Sequence, residues 1–340
     1  MEDLLIFLLD YACRKKATDI HLDLEEGESL QIQLRTENGF LSLTQDIFDQ
    51  HFLEYLKFVS GMDLCALHHP QSGSFVLQGL KSEHSCRFAF MTNSKHSTGV
   101  IRLLNASRDL RIPDLSADEK TRDFLNRLTR AEHGLIISAG PTGSGKTTTL
   151  HAILHEMASR KDRKIVSLED PVEIPDPLYL QMEINETQGF TYEKGIEELM
   201  RHDPDVILIG ECRSAYTAHM AVRAALTGHL VFTTLHSGTA AEAVRRMIEF
   251  GCDPTDLRTI LHAVFAQRLY PAKQSSRIPE NQKENAYETE KECIYERWQR
   301  KDIERYFESG NHPEGVLTLA QQIEAAINDG RIDRPQWKDF

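Results

Sequence analysis

The chain has 340 residues, 52 acidic and 39 basic, for a formal net charge of −13. That length predicts two domains, and the acidic balance argues against direct nucleic-acid binding, which needs a basic face to neutralise phosphates. No run of 18 apolar residues occurs, so no membrane-spanning helix is expected.

The first hundred residues read as α+β. A helix is predicted over 3–15. Its apolar run Leu4–Leu9 is short and follows Glu2 and Asp3 rather than a basic segment, so it is not a secretory signal. Ile20, Leu22 and Leu24 then alternate with polar residues as a half-buried strand does, and Leu30, Ile32 and Leu34 repeat the pattern. Asn38-Gly39 signals a hairpin. A helical pattern covers 46–60, and strands are predicted near 74–78, 85–91 and 99–104. The domain reading is an N-terminal unit over 1–104, a linker over 105–115 that includes Pro113, a nucleotide-binding core over 116–271, and a polar link with a helical C-terminal segment over 272–340.

In the core, a helix over 116–130 leads to strands at 135–139, 164–168, 206–209 and 230–235, alternating with helices. That order implies a mostly parallel sheet with right-handed crossovers. Thr239 and Glu242 are spaced as a capping box for a helix ending at Gly251. Asp253 and Pro254 open the next helix, predicted to carry Leu257, Ile260, Leu261, Val264 and Phe265 on one side. Beyond 290 only modest helices are predicted, such as Leu317–Asn328. Six cysteines (Cys13, Cys65, Cys86, Cys212, Cys252 and Cys293) are scattered without a C-x-x-C pair, which predicts reduced thiols in the cytosol and no zinc site.

The string Gly140-Pro141-Thr142-Gly143-Ser144-Gly145-Lys146-Thr147 matches the phosphate-binding loop G-x-x-x-x-G-K-[ST], and Thr148 follows it. The apolar strand before it and the helix after it aim backbone N–H groups and a positive dipole end at phosphates. Lys146 is expected to reach the β- and γ-phosphates of ATP, and the Thr147 hydroxyl to ligate Mg²⁺. Three further strand ends fall at the carboxyl edge, where open α/β sheets place their chemistry. The first brings Glu169, Asp170 and Glu173; the second, Val206–Gly210, ends in Glu211; the third ends in His236. Gly210 stands where many P-loop ATPases carry aspartate, so Glu211 is the candidate for polarising the attacking water. Glu169 and Asp170 are expected to help hold Mg²⁺ through water. His236 is a candidate sensor of the γ-phosphate.

These motifs, in this order, resemble the secretion traffic ATPases of type II secretion systems, type IV pili and competence pseudopili, over about residues 10–270. "GPTGSGKTTT" is similar to that family's Walker A and "SLEDPVEI" to its Asp box. "MRHDPDVILIGECR" is similar to its Walker B, with Arg201, Asp205, Glu211 and Arg213, and "TGHLVFTTLHS" to its His box, with His229 and His236. "AQRL", Ala266–Leu269, follows in order, and "ATDIHLD" resembles an N-terminal segment with Thr18 in place of serine. Arg87 and Arg102 stand where the family has strand arginines, which implies that they cross to the γ-phosphate when the N-terminal domain closes.

The resemblance implies an α/β fold: a P-loop NTPase (RecA-like) domain with a mostly parallel sheet, preceded by a smaller α+β (PAS-like) domain. It implies a homo-hexameric ATPase, cytoplasmic at the inner face of the plasma membrane, pushing on a polytopic membrane platform protein to assemble a competence pseudopilus for DNA uptake. The chain lacks the four-cysteine zinc module of many members, the long N-terminal domain of the secretion and extension members and the C-terminal helix motif of retraction members. Ser214 stands where the family usually has aspartate. Pilus retraction or protein secretion, a P-loop kinase and a catalytically dead scaffold stay open as alternatives.

Overall fold

A computed structural model describes residues 1–25, 29–36, 39–43, 47–65, 69–80, 83–93, 95–104, 111–185, 189–273 and 291–334. The chain divides into two compact units: Met1–Arg108 with Glu173–Pro175, and Asp109–Val172 with Asp176–Phe340.

The first unit contains α1 (Glu2–Arg14), β1 (Asp19–Glu25), β2 (Gln31–Thr36), β3 (Gly39–Leu43), α2 (Gln50–Val59), β4 (Gln71–Gln78), β5 (Glu83–Thr92) and β6 (His96–Leu104). Its strands form one antiparallel sheet in the order β3-β2-β1-β6-β5-β4. Leu5, Leu8, Leu9 and Ala12 recur at helical spacing and bury one face of α1. They share a core with Ile20 and Leu22 of β1, Phe52 and Leu56 of α2, and Phe88 and Ile101 of the central strands. The predicted hairpin is present as the β2–β3 pair, although Asn38 lies outside the described residues.

The second unit runs through α3 (Ile112–Leu115), α4 (Glu119–Leu128), β7 (Gly134–Ala139), α5 (Lys146–Ala158), β8 (Ile165–Glu169), β9 (Leu180–Glu183), α6 (Tyr192–Leu199) and β10 (Val206–Ile209). It continues with α7 (Ala215–Leu226), β11 (Leu230–Leu235), α8 (Ala240–Glu249), α9 (Pro254–Ile260), β12 (Leu261–Pro271), β13 (Lys291–Gln299), α10 (Arg300–Ser309) and α11 (Leu319–Asn328). The sheet order is β13-β12-β7-β11-β10-β8-β9; every pair is parallel except β12–β13. The central strands are apolar on both faces because each face has its own core. Leu135, Ile137, Ile207, Ile209 and Val231 enter one core, with α7 and α8. Ile136, Val206, Leu208, Leu230 and Phe232 enter the other, with α4 and α5. This is the expected P-loop α/β fold.

Four details depart from the sequence reading. The helix begun at Asp253 stops at Ile260, and Leu261 opens a strand. Leu261, Val264 and Ala266 face one core and Ala263 and Phe265 the other, across a register shift between Leu261 and Ala263. A short apolar run serves a buried strand as well as a helix, and here the open edge of β7 selects the strand.

Residues 291–299, expected in a helical segment, form β13 on the same sheet. Buried Glu292 and Glu296 interrupt its alternation, which hides the period of two. Of the linker, 105–110 lie outside the described residues, while Ile112–Leu115 is one helical turn that buries Ile112 and Leu115 in the second unit's core. Thr239 caps α8 as expected, but Glu242 accepts the N–H of Gly238 at 2.6 Å instead of closing a capping box.

Candidate functional site

The phosphate loop leaves β7 at Ala139 and becomes α5 at Lys146. Gly143 and Gly145 have φ of 77° and 86°, the left-handed region that admits glycine without strain. Lys146 Nζ donates to Gly140 O at 2.8 Å and Pro141 O at 3.0 Å, so the ammonium draws the loop into a curl. Pro141, Thr142 and Gly143 are exposed, and Thr147 and Thr148 are partly so. Gly145, the N-cap, brings no side chain to the first-turn N–H groups of α5. Ser144 Oγ is buried without a protein partner.

A nucleotide triphosphate with its cation fits these residues: a curled backbone, a helix N-terminus and an ammonium all present positive character to an anion. Among the described residues no cluster of three or more His, Cys, Asp or Glu could hold a metal ion alone. The Thr147 hydroxyl, partly exposed in the first turn of α5, is an oxygen donor of the kind Mg²⁺ takes.

The loop is anchored from behind by Gln267 of the AQRL segment, to which the sequence assigned no role, and by two residues of β13. Gln267 of β12 is fully buried; its Nε2 donates to Ser144 O at 2.8 Å and to Thr149 Oγ1 at 3.2 Å. Its Oε1 accepts from Ser138 Oγ at 3.3 Å. From β13, the Tyr295 hydroxyl is 2.8 Å from Thr149 Oγ1, and Cys293 Sγ is 3.8 Å from Ser144 O. Burial pushes the Cys293 thiol up to about 12, so it stays protonated. A glutamine inside the apolar run of β12 was the signal, because a fully buried amide must find partners.

Register brings the remaining strand ends to one edge. Ile209 of β10 pairs with Leu168 of β8 and Thr233 of β11, and Leu235 pairs with Ala139 of β7. Glu169, Asp170, Glu211, His236 and the loop therefore follow adjacent strands on the same side. Glycine at 210 has a steric cause: a Cβ there would stand 2.9 Å from Leu168 O.

Glu211 Oε2 accepts from Arg213 Nη2 at 2.7 Å, and Glu211 Oε1 is 3.1 Å from His236 Nε2. Burial raises this carboxyl, but Arg213 and then His236 outweigh it and hold it below the usual glutamate range. Arg213 Nη1 also lies 3.9 Å from Asp170 Oδ2. The departure at Ser214 has a local role, because its Oγ caps α7 by accepting the N–H of Thr217.

Glu169 is different. Its carboxylate is 3 % exposed and turns inward, accepting from Ser167 Oγ at 2.6 Å and Gln181 Nε2 at 3.1 Å. Three motif residues lie away from this edge. Asp205 accepts the Lys164 N–H at 2.6 Å where β8 and β10 begin. His229 precedes β11, with Nδ1 3.0 Å from Ala224 O at the end of α7. Arg201 follows α6 and pairs with Glu198.

In the first unit, Arg87 and Arg102 lie directly opposite each other on β5 and β6. Opposed residues share a sheet face. Arg102 Nε donates to Asp19 Oδ1 at 2.9 Å, and Asp19, despite burial, is held below its ordinary range by Arg102 and Thr18.

A family model described as type II/IV secretion system protein matches residues 1–328. The chain belongs to that family. Competence protein ComGA of Bacillus subtilis is 38 % identical over 265 residues, covering 77 % of this chain and 74 % of that protein. Type II secretion system protein E of Aeromonas hydrophila is 36 % identical over 269 residues, covering 77 % of this chain and 52 % of its own length. Among solved structures, the pilus retraction motor PilT with bound ADP superposes with a TM-score of 0.76 at 24 % identity, over 96 % of this chain and 94 % of that one. The Legionella pneumophila ATPase DotB also gives 0.76, at 18 % identity over 98 % and 94 %. At these identities the two structures speak for the fold. For this member of the secretion family, the phosphate loop and the Glu211 cluster sit on the same sheet edge.

Proposed function

We propose that this chain is the ATP-hydrolysing motor subunit that powers assembly of a competence pseudopilus. Family membership makes it a secretion- and pilus-type ATPase, and the likeness to ComGA supports the cargo. The observation that carries the chemistry is the run Asp170–Arg213–Glu211–His236 along strand ends that neighbour the phosphate loop.

Lys146 and the backbone N–H groups of Gly143, Gly145, Lys146, Thr147 and Thr148 grip the phosphates. Thr147 and, through water, Asp170 and Glu211 would hold Mg²⁺, which would supply charge neutralisation on the leaving phosphates. Glu211 orients the attacking water, fixed between Arg213 and His236. His236 senses the terminal phosphoryl group. Arg87 and Arg102, which share one sheet face, complete the site from the N-terminal unit when it closes, coupling hydrolysis to motion.

The subunits form a hexamer that works against a polytopic platform protein at the cytoplasmic face of the plasma membrane. No helix among the described residues is long and apolar enough to cross a membrane, which suits a peripheral partner.

The test is ATP turnover by purified Lys146→Ala and Glu211→Gln variants, with product identified. Loss of free phosphate release in both is expected. Undiminished turnover in either refutes the assigned role, and a phosphorylated small molecule as product would make the protein a kinase. Oligomer size with and without a non-hydrolysable ATP analogue tests the ring; a monomer in both states would overturn it.

A further inference from the structure

A buried polar contact joins the nucleotide helix to the strand that ends at Glu169. His151 lies on α5, one turn beyond Thr147 on the same helix face, and is 4 % exposed. Its Nε2 is 3.2 Å from Glu169 Oε2, and its Nδ1 is 2.5 Å from the Tyr179 hydroxyl. The two rings stack with centroids 6.0 Å apart and planes 28° from parallel.

Burial first, then the charges of Glu169 and Asp176, push the Tyr179 hydroxyl far above its ordinary range, so it keeps its proton; with Nε2 facing a carboxylate oxygen that can only accept, that proton points to Nδ1. An imidazole that accepts at Nδ1 carries its hydrogen on Nε2 and donates it to Glu169. The amide of Gln181 is oriented too, since its Oε1 accepts the Asp176 N–H at 2.6 Å and turns Nε2 toward Glu169. With Ser167, three donors from three chain segments meet on one buried carboxylate.

An apolar pair would tie α5 to β8 without burying a charge, and such replacements are often neutral or stabilising. What an apolar pair cannot do is set the direction of a carboxylate at the last residue of β8, one peptide before Asp170.

We propose that His151 is a positioning residue for ATP hydrolysis: by donating to Glu169 it fixes the end of β8, and so keeps Asp170 and the Glu211 cluster in register with the phosphate loop carried by its own helix. This rests on the ATPase reading above. His151 acts through Glu169 and does not touch the nucleotide.

The test compares His151→Leu, which removes the donor, with His151→Gln, whose amide restores one. In His151→Leu, kcat is expected to fall about tenfold or more, since small misplacements of catalytic groups cost that much. KM for ATP should change less than about twofold, because the loop's own grip is untouched. His151→Gln should recover most of kcat. A readout without nucleotide is the ¹⁵N spectrum of the histidines in the native protein: His151 should carry its proton on Nε2, and Tyr179→Phe should lose that preference.

Equal kcat in His151→Leu and the native protein, equal losses in the Leu and Gln variants, or a proton on Nδ1 would each overturn the proposal. Should His151→Leu fail to fold, the Gln variant and the native spectrum decide it. Lys146→Ala, run in parallel, separates the two claims. Turnover that survives Lys146→Ala sinks the ATPase reading, whereas turnover lost there but intact in His151→Leu sinks only this one.

Discussion

Glu211 and His236 are carried by the ends of neighbouring parallel strands, and Oε1 of one meets Nε2 of the other at 3.1 Å. The glutamate is thus held from two sides, by His236 and by Arg213. Glu211→Gln should lower kcat by roughly 10²–10⁴, the usual weight of a positioned acid–base group. His236→Ala, which frees the carboxylate on one side only, should cost about tenfold. Steady-state phosphate release measures both, and a larger loss for His236 would reverse the order of importance assigned here.

Gln267→Ala removes the donor to Ser144 O and Thr149 Oγ1. Leaving buried polar atoms unmatched costs about 1–3 kcal/mol, so the melting temperature should drop. Affinity for ADP should weaken roughly tenfold, an effect of about 1.4 kcal/mol. A fluorescent-nucleotide titration beside a thermal melt checks both.

Gly210→Ala should destabilise the second unit by about 1–3 kcal/mol, because its methyl would press on Leu168 O at 2.9 Å. Restoring the aspartate found at this place in many P-loop ATPases should be worse still. Denaturant unfolding of the two variants against the native protein measures the difference.

Burial pushes the Glu296 carboxyl from its ordinary 4.5 up to about 7, against the pull of the Leu319 and Ala240 N–H groups. A raised folded-state value means that protonation favours the fold. The contribution is complete below pH 4.5 and is lost as pH rises through about 7. The slope in that window is at most about 1.4 kcal/mol per pH unit. Glu296→Gln should flatten this part of the profile of melting temperature against pH, and an unchanged slope would refute the assignment.

Arg87→Ala and Arg102→Ala should each lower kcat on the order of a hundredfold while ADP binding stays close to native, as expected for charge supplied to the transition state. A loss confined to ADP affinity would mean that neither arginine meets the terminal phosphoryl group.

The elements nearest the nucleotide were the most legible in the sequence. Gly143, Gly145 and Lys146 declare their geometry because few residues tolerate a left-handed loop feeding a helix. Glu211 and His236 could be placed since parallel strands put their carboxyl ends side by side. What escaped was long-range. Nothing local tells Leu261 that the edge of β7 is open, so a run fit for a helix became β12. The buried charges of Glu292 and Glu296 on β13 disguised a strand as a polar segment. They are matched by distant groups, such as the Ser116 hydroxyl and Ala117 N–H for Glu292 and the Leu319 N–H for Glu296. The inward turn of Glu169 likewise depends on His151 and Gln181, which no spacing rule connects to it.

Because the clamp behind the phosphate loop comes from β12 and β13, its parts leave the ribosome at different times. Ser144 precedes Gln267 by 123 residues and Thr149 precedes Tyr295 by 146. At ~5–20 residues per second that is a delay of roughly 6–25 seconds for the first pair. During translation the half-made chain carries its Walker sequence with no brace beneath it. ATP capture by stalled nascent chains should therefore switch on only once β13 has emerged.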